Sequence, residues 1–155
     1  RLLDAGFDVF RLNFRDHGDT HHLNPGLFHS NRLDEVLHAV RSIAALFPGL
    51  PMVAAGYSLG GNFALRVARA APAAGLPLVH AAAVCPAIDP AAVLRALEQG
   101  MPLYHWYFMR KWRRSLARKR VPGLSNRMYC EPPRLASTAL TAMMTCPLVW
   151  LSTME

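Results

Sequence analysis

The sequence is poor in cysteine and in long apolar runs. Its 155 residues include three cysteines with no CxxC pair, so neither a disulfide framework nor a zinc site is expected, and a reducing compartment is the default. No apolar stretch reaches the roughly 18 residues that a membrane span requires. The chain begins at Arg1, with no initiator methionine and no signal-peptide pattern. We therefore expect an incomplete N-terminus and a cytoplasmic location, with peripheral membrane association left open.

Acidic residues are scarce in one part of the chain only. Residues 1–100 contain eight arginines and eight carboxylates, whereas residues 101–155 contain nine basic residues and two acidic ones. The net charge of +7 therefore belongs entirely to the last third. The main body is excluded as a polyanion binder, and attraction toward an anionic partner is expected only from the later segment. A hydrophobic fraction of 52% indicates a globular domain with a substantial core.

Strand and helix patterns alternate along the first hundred residues. Short β-rich or apolar runs predict strands, and three- and four-residue apolar spacing predicts helices. We expect Ser30 or Asn31 to cap the first helix and Asp89 the third, and His80 and Cys85 to be packed in a buried strand. This order predicts an α/β fold, a parallel sheet flanked by helices. The predicted strands are 8–14, 51–56 and 78–85, and the predicted helices are 31–47, 59–71 and 90–99.

A Gly-Tyr-Ser-Leu-Gly sequence at 56–60 separates the second strand from the second helix and matches the G-x-S-x-G nucleophile elbow. So sharp a reversal strains the serine backbone and exposes the Ser58 hydroxyl at the sheet edge. It also directs the Leu59 N–H to the point where an oxyanion would form. A side chain at Gly56 or Gly60 would collide with the adjoining elements. A glycine-rich turn without chemistry is the alternative, while phosphate-loop motifs are absent.

Four histidines lie in the long loop that follows the first strand. Because the carboxyl ends of parallel strands share one edge, His17, His21, His22 and Tyr57 are candidate pocket-lining residues. The side chains of the adjacent His21 and His22 point apart, so no metal site is expected. One of these histidines serving as the base for Ser58 is an alternative. Full fluorophosphonate labelling of a His17→Ala or His21→Ala variant would exclude it for that residue.

The serine turn and the histidine loop together resemble the YheT-type branch of the α/β-hydrolases. The resemblance covers about residues 1–120. It implies an α/β-hydrolase fold and a serine hydrolase of carboxylic esters without a cofactor, in which Ser58 is the nucleophile and Leu59 provides one oxyanion N–H. The matching segments are 13–24 (NFRDHGDTHHLN), 28–30 (FHS), 32–36 (RLDEV), 56–62 (GYSLGGN) and 84–90 (VCPAIDP).

The same resemblance exposes missing parts. The family's His-Gly oxyanion loop precedes the position where this chain begins, and its acid and catalytic histidine have no matching positions here. Residues 145–153 (TCPLVWLST) could form the strand that precedes the acid. We therefore expect a fragment, a frameshift product or a pseudo-enzyme that forms a single α/β-hydrolase core over 1–155. A truncated, non-catalytic α/β module that binds lipid or a protein partner is the alternative function.

The basic, aromatic segment at about 101–140 is expected to be a cap inserted in this core. Within it, a predicted helix places several large apolar residues on one face. Three interpretations stay open: a lid with its apolar face toward acyl chains, a membrane-surface helix, and, with least support, a nucleic-acid binder. The expected partners are a small-molecule or lipid ester and no nucleic acid. The residues expected to share the face are Leu103, Trp106 or Tyr107, Met109, Trp112 and Leu116.

Overall fold

The computed structural model describes residues 1–119 and the strand at 148–153, and the chain divides into two compact units. The first unit takes in residues 1–14, 32–88 and 145–155. The second takes in residues 15–31 and 89–144. The rest of the predicted cap segment lies outside the described residues, as do Cys130 and Cys146.

The first unit is a four-stranded sheet with two helices. Its strand order is β1-β4-β2-β3; β2 and β3 are parallel, and β4 pairs antiparallel with both β1 and β2. Strands β1, β2 and β3 therefore run in one direction, as expected, and β4 departs from the parallel pattern. An antiparallel strand satisfies the facing backbone groups of its neighbours as fully as a parallel one. The elements are β1 (Phe7–Leu12), α1 (Leu33–Leu46), β2 (Met52–Tyr57), α2 (Leu59–Ala74), β3 (Leu78–Val84) and β4 (Leu148–Thr153).

Helix α1 carries its predicted apolar stripe but not its predicted cap. Val36, Leu37 and Val40 are buried. The helix begins at Leu33, with Arg32 in the N-cap position and no side-chain cap hydrogen bond, so the expectation of a Ser30 or Asn31 cap is wrong. The first turn is instead stabilised by acidic residues at the positive end of the helix dipole.

Strand β3 is not the buried strand that its apolar sequence predicts. Most of its residues are exposed, and His80 and Cys85 are exposed as well, so their expected packing in the interior is wrong. The reason is position, since β3 lies at the end of the described sheet while β2 lies inside it. Small alanine side chains in the middle of β3 also give neighbouring elements little to cover.

The core of the first unit lies where helix α2 packs on the sheet and on α1. Val40, Phe63 and Val67 are the largest fully buried side chains. The ring centroids of Phe14 and Phe63 lie 4.7 Å apart. Full burial of such a side chain contributes about 1.5–3 kcal/mol. This packing anchors α2 against the sheet and so fixes the helix N-terminus at the carboxyl end of β2.

The described part of the second unit, residues 15–31 and 89–119, contains the helices α3 (Pro90–Gln99) and α4 (Pro102–Arg118) and the loop with a short 3₁₀ turn at Thr20–Leu23. The predicted cap of α3 is confirmed, because Asp89 Oδ1 accepts hydrogen bonds from the backbone N–H groups of Ala91 and Ala92. Among the described residues of this unit, Phe28, Leu97 and Trp112 are buried apolar side chains. No helix of the described residues has the length and hydrophobicity needed to cross a bilayer.

Helix α4 divides its large apolar residues between two faces. Trp112 is buried and Met109 and Leu116 are half-buried, and these three residues lie on one face. Leu103, Trp106 and Tyr107 are exposed, so the expectation that they share one face with Met109, Trp112 and Leu116 is wrong. At 100° per residue, they fall on a second stripe that diverges from the first.

Candidate active site

Ser58 alone forms the turn between a strand and a helix. Strand β2 ends at Tyr57 and α2 begins at Leu59, so the chain reverses within one residue. The serine has φ 49° and ψ −116°. A positive φ in a non-glycine residue is uncommon, and holding such a backbone costs of the order of 1–3 kcal/mol. The surrounding structure must therefore maintain this conformation.

Three backbone hydrogen bonds hold the serine from both sides. Its N–H donates to the Val84 carbonyl at 2.9 Å, and its carbonyl accepts from the N–H groups of Asn62 at 3.0 Å and Ala87 at 3.1 Å. The side chain of Asn62 donates to the Ala87 carbonyl at 2.9 Å. The end of β3 and the first turn of α2 thus clamp the backbone of Ser58.

A glycine at position 56 is required by the closeness of the chain on either side of the turn. A Cβ at Gly56 would lie 2.7 Å from the backbone nitrogen of Gly61 and still closer to the Gly60 carbonyl group. Both opposing groups are backbone atoms, which cannot rotate away. The expected collision is therefore confirmed for a side chain at Gly56, and for one at Gly60 it stays a prediction. Gly61 is also confined, since its Cβ would lie 3.0 Å from the Gly56 carbonyl oxygen.

The N-terminus of α2 directs backbone N–H groups toward this turn. The first N–H groups of an α-helix, here those of Leu59, Gly60 and Gly61, have no acceptor within the helix, and this end carries a partial positive charge. The Ser58 side chain forms no cap hydrogen bond with them. Ser58 is half-buried and Tyr57 is 58% exposed. A hydroxyl nucleophile and oxyanion donors can therefore act on the same carbonyl group at this turn.

The histidine loop belongs to the second unit and is held by its own hydrogen bonds. The Nδ1 atom of His17 lies 2.8 Å from the Arg15 carbonyl oxygen, to which it donates as Nδ1–H. The Nε2 atom of His21 lies 2.7 Å from the Ser115 hydroxyl oxygen, and His22 is exposed. The His21 contact ties the loop to helix α4 within the second unit.

Partial burial is the largest influence on the pKa of His17. Desolvation lowers its pKa below the usual 6.5 and outweighs the hydrogen bond to Arg15 and the charge of Asp16, both of which raise it. The charges of His21 and Lys111 lower the pKa further. His17 is therefore neutral at neutral pH.

A buried ion pair between the same loop and the residue that follows α4 was not singled out from the sequence. Lys119 Nζ lies 2.5 Å from Asp16 Oδ1 and 2.7 Å from the Asn24 carbonyl oxygen, and both charged side chains are 2% exposed. The second Asp16 oxygen accepts the Phe28 N–H at 2.9 Å. Asp16 also has φ 63°. The available signal was an aspartate between Arg15 and His17 in a tightly turning loop, which does not reveal a lysine a hundred residues away.

The serine-turn residues and the histidines thus fall in separate units. Gly56, Tyr57, Ser58, Leu59 and Gly60 are contiguous in the first unit, whereas His17, His21 and His22 are in the second. The lining of a serine pocket by these histidines stays a prediction. Within residues 1–119 and 148–153, no group of three or more His, Cys, Asp or Glu side chains is arranged to hold a metal ion.

Comparison with known proteins gives one informative result for the whole chain. A family model described as the alpha/beta hydrolase family matches residues 1–153. No curated protein and no solved structure matches the chain. The match extends over nearly every residue and agrees with the strand–turn–helix arrangement around Ser58. The chain belongs to the α/β hydrolase family, whose members are generally hydrolytic enzymes.

Proposed function

We propose that this protein is a serine hydrolase of carboxylic esters and that Ser58 is its nucleophile. The observation that carries the proposal is the backbone of Ser58, held at φ 49° on a one-residue turn between β2 and α2. Strained residues held by their surroundings concentrate at active sites. A serine in a strand–turn–helix, with glycines two residues before and after it, has the form of a nucleophile elbow.

The reaction would proceed through an acyl-enzyme. The Ser58 oxygen bonds to the ester carbonyl carbon as a general base takes the hydroxyl proton, and the resulting oxyanion is stabilised by the Leu59 N–H. Collapse of the intermediate breaks the ester C–O bond, and the alcohol leaves with that proton. Water then hydrolyses the acyl-serine. In serine hydrolases of this kind the general base is a histidine, and a carboxylate orients it. Neither residue has an assigned position in this chain.

Labelling with a fluorophosphonate probe tests the proposal directly. We expect mass spectrometry to find the label on Ser58 in the wild type and no label in Ser58→Ala. Ser42→Ala is the matched control, because Ser42 is exposed and forms a helical hydrogen bond to the His38 carbonyl. It should label like the wild type. Equal labelling of the Ser58→Ala variant would contradict the proposal. If the label is found on Ser58, a series of p-nitrophenyl esters defines the acyl preference of the enzyme.

Within the family, we place this chain in the YheT-type branch as a carboxylesterase or lipase-like enzyme. The support is the pairing of the loop NFRDHGDTHHLN at 13–24 with GYSLGGN at 56–62. This placement predicts that the genomic reading frame encodes an upstream His-Gly loop and a downstream aspartate and histidine. Stop codons on either side would favour a truncated remnant instead.

A non-catalytic α/β module that binds lipid or a protein partner is the second candidate. The observation that favours it is exposed apolar surface at the edge of the first unit, where Val79 is 54%, Val84 44% and Ile88 69% exposed. Such surface often marks an interaction site. This candidate predicts that neither the wild type nor Ser58→Ala is labelled and that no p-nitrophenyl ester is hydrolysed.

A further inference from the structure

Helix α4 has an exposed face made of one continuous row of side chains. The row, here called the outer stripe, follows three- and four-residue helical spacing, so its members lie on one side of the helix. Its first half is apolar or aromatic and its second half is basic. From first to last residue it extends about 17 Å along the helix axis. The outer stripe consists of Leu103, Trp106, Tyr107, Arg110, Lys111 and Arg114.

The aromatic and basic halves of the outer stripe are in contact. The Arg110 guanidinium carbon lies 5.5 Å from the Trp106 ring centroid, and Lys111 Nζ lies 5.4 Å from the Tyr107 ring centroid. These four side chains and Arg114 line an open groove of about 520 Å³. Both rings are about half exposed, so the cation–π contacts leave apolar surface available.

The charged side chains of helix α4 are all of one sign. Residues 102–119 include six basic residues and no acidic one. Two of the six are paired within the second unit, Arg118 with Asp19 and Lys119 with Asp16. The basic residues of the outer stripe therefore present a positive surface, in a chain whose first hundred residues carry no net charge. This charge favours an anionic occupant.

We propose that the outer stripe binds the surface of a membrane that contains anionic phospholipids. Trp and Tyr rings are favoured at the boundary between headgroups and acyl chains, where an apolar ring body and a polar edge are both satisfied. Arg110, Lys111 and Arg114 then face the lipid phosphates. The exposed Leu103 favours a membrane over nucleic acid, because an acyl boundary buries it and a phosphate backbone does not. This inference is independent of the proposed hydrolase activity.

Vesicle co-sedimentation tests the proposal on the full chain. The vesicles are phosphatidylcholine, alone or with roughly 30 mol% phosphatidylserine, as in an anionic leaflet. We expect binding to the anionic vesicles only, weakening as salt rises from about 0.05 M to about 0.5 M. Reversing three charges in R110E/K111E/R114E should weaken binding at least about 100-fold, since the loss of each basic residue alone costs roughly fivefold and the new carboxylates are repelled by the lipid phosphates. W106A/Y107A, which keeps every charge, should weaken it about tenfold through lost apolar burial.

The control variant is R41E/R69E/R95E, which makes the same net-charge change at exposed arginines on other helices. It should bind nearly as well as the wild type. Equal loss of binding in this control would overturn the proposal, since net charge alone would then explain the attraction. Unchanged binding by W106A/Y107A, or tighter binding of a single-stranded oligonucleotide than of the vesicles, would also overturn it in favour of a general polyanion surface. Circular dichroism of each variant verifies that the fold is retained.

Discussion

At the scale of single residues, Ser58 and Gly56 illustrate what a short motif can determine. The strained backbone at Ser58 and the close approach at Gly56 are backbone properties, and the pattern G-x-S-x-G predicts both from residue type alone. The residues that hold the turn in place could not be predicted from the motif. Asn62 and Ala87 act through backbone and amide hydrogen bonds, and an alanine has no polar side chain that could indicate the contact.

The half-buried His17 makes stability depend on pH. Its pKa is lowered in the fold, so at pH values between that lowered pKa and about 6.5 the unfolded chain binds more protons than the folded one. The free energy of unfolding therefore rises with pH in this window, by at most about 1.4 kcal/mol per pH unit. The contribution is fully present above pH 6.5 and is lost as the pH falls toward the folded-state pKa.

Urea denaturation between about pH 7.5 and about pH 5.5 measures this effect. We expect the wild type to lose stability on acidification and His17→Gln to lose distinctly less. His38→Gln serves as the control because His38 is exposed on α1, and it should keep the wild-type pH dependence. The same pH dependence in His17→Gln as in the wild type would show that His17 is not the group responsible.

At the scale of elements, periodicity located helix α4 but assigned too many residues to one face. A chain with aromatic residues at 104, 106, 107, 108 and 112 has large apolar side chains on every side, so spacing alone cannot select the buried stripe. Packing decides it: Phe108 and Trp112, whose ring centroids are 5.6 Å apart, turn inward. The loop that precedes α1 was correctly predicted as irregular, but its attachment to the end of α4 was invisible in the sequence.

That attachment makes Lys119 a strong determinant of stability within the second unit. In Lys119→Met the Asp16 carboxylate stays buried without its counter-charge, although the Phe28 N–H still donates to it. Breaking one side of such a pair costs about 3–5 kcal/mol. Asp16→Asn removes the remaining charge and can still accept from Phe28. The double variant should therefore lose less stability than the sum of the two single variants.

Arg118→Met is the matched comparison, because Arg118 pairs with Asp19 at 2.9 Å on the surface, with side-chain exposures of 43% and 93%. Such a pair contributes at most about 1 kcal/mol. Urea midpoints of the four variants give the ranking. A Lys119→Met variant no less stable than Arg118→Met would show that the buried pair does not hold the loop.

At the scale of the whole molecule, strand sequence predicted the class of fold but not the order of the sheet. The alternation of strands and helices is local information, and it gave the common direction of β1, β2 and β3. The insertion of β4 between β1 and β2 depends on contacts between residues more than ninety positions apart, as in the pairing of Met52 with Ser152. The exposure of β3 follows from the same order, because an apolar strand is buried only if neighbours cover it.

The exposed edge of β3 predicts self-association. Among the described residues, no strand pairs with its outer side, and Val79 and Val84 are about half exposed. An apolar edge strand offers unpaired backbone groups to another chain. We therefore expect sedimentation velocity to give a mass above the 17.1 kDa of one chain as concentration rises, and Val79→Lys/Val84→Lys to restore the monomer. Ala45→Lys/Ala73→Lys adds the same charge on exposed helix positions and should associate like the wild type. A wild type that sediments as a monomer throughout, or a control that dissociates equally, would show that β3 is not the contact surface.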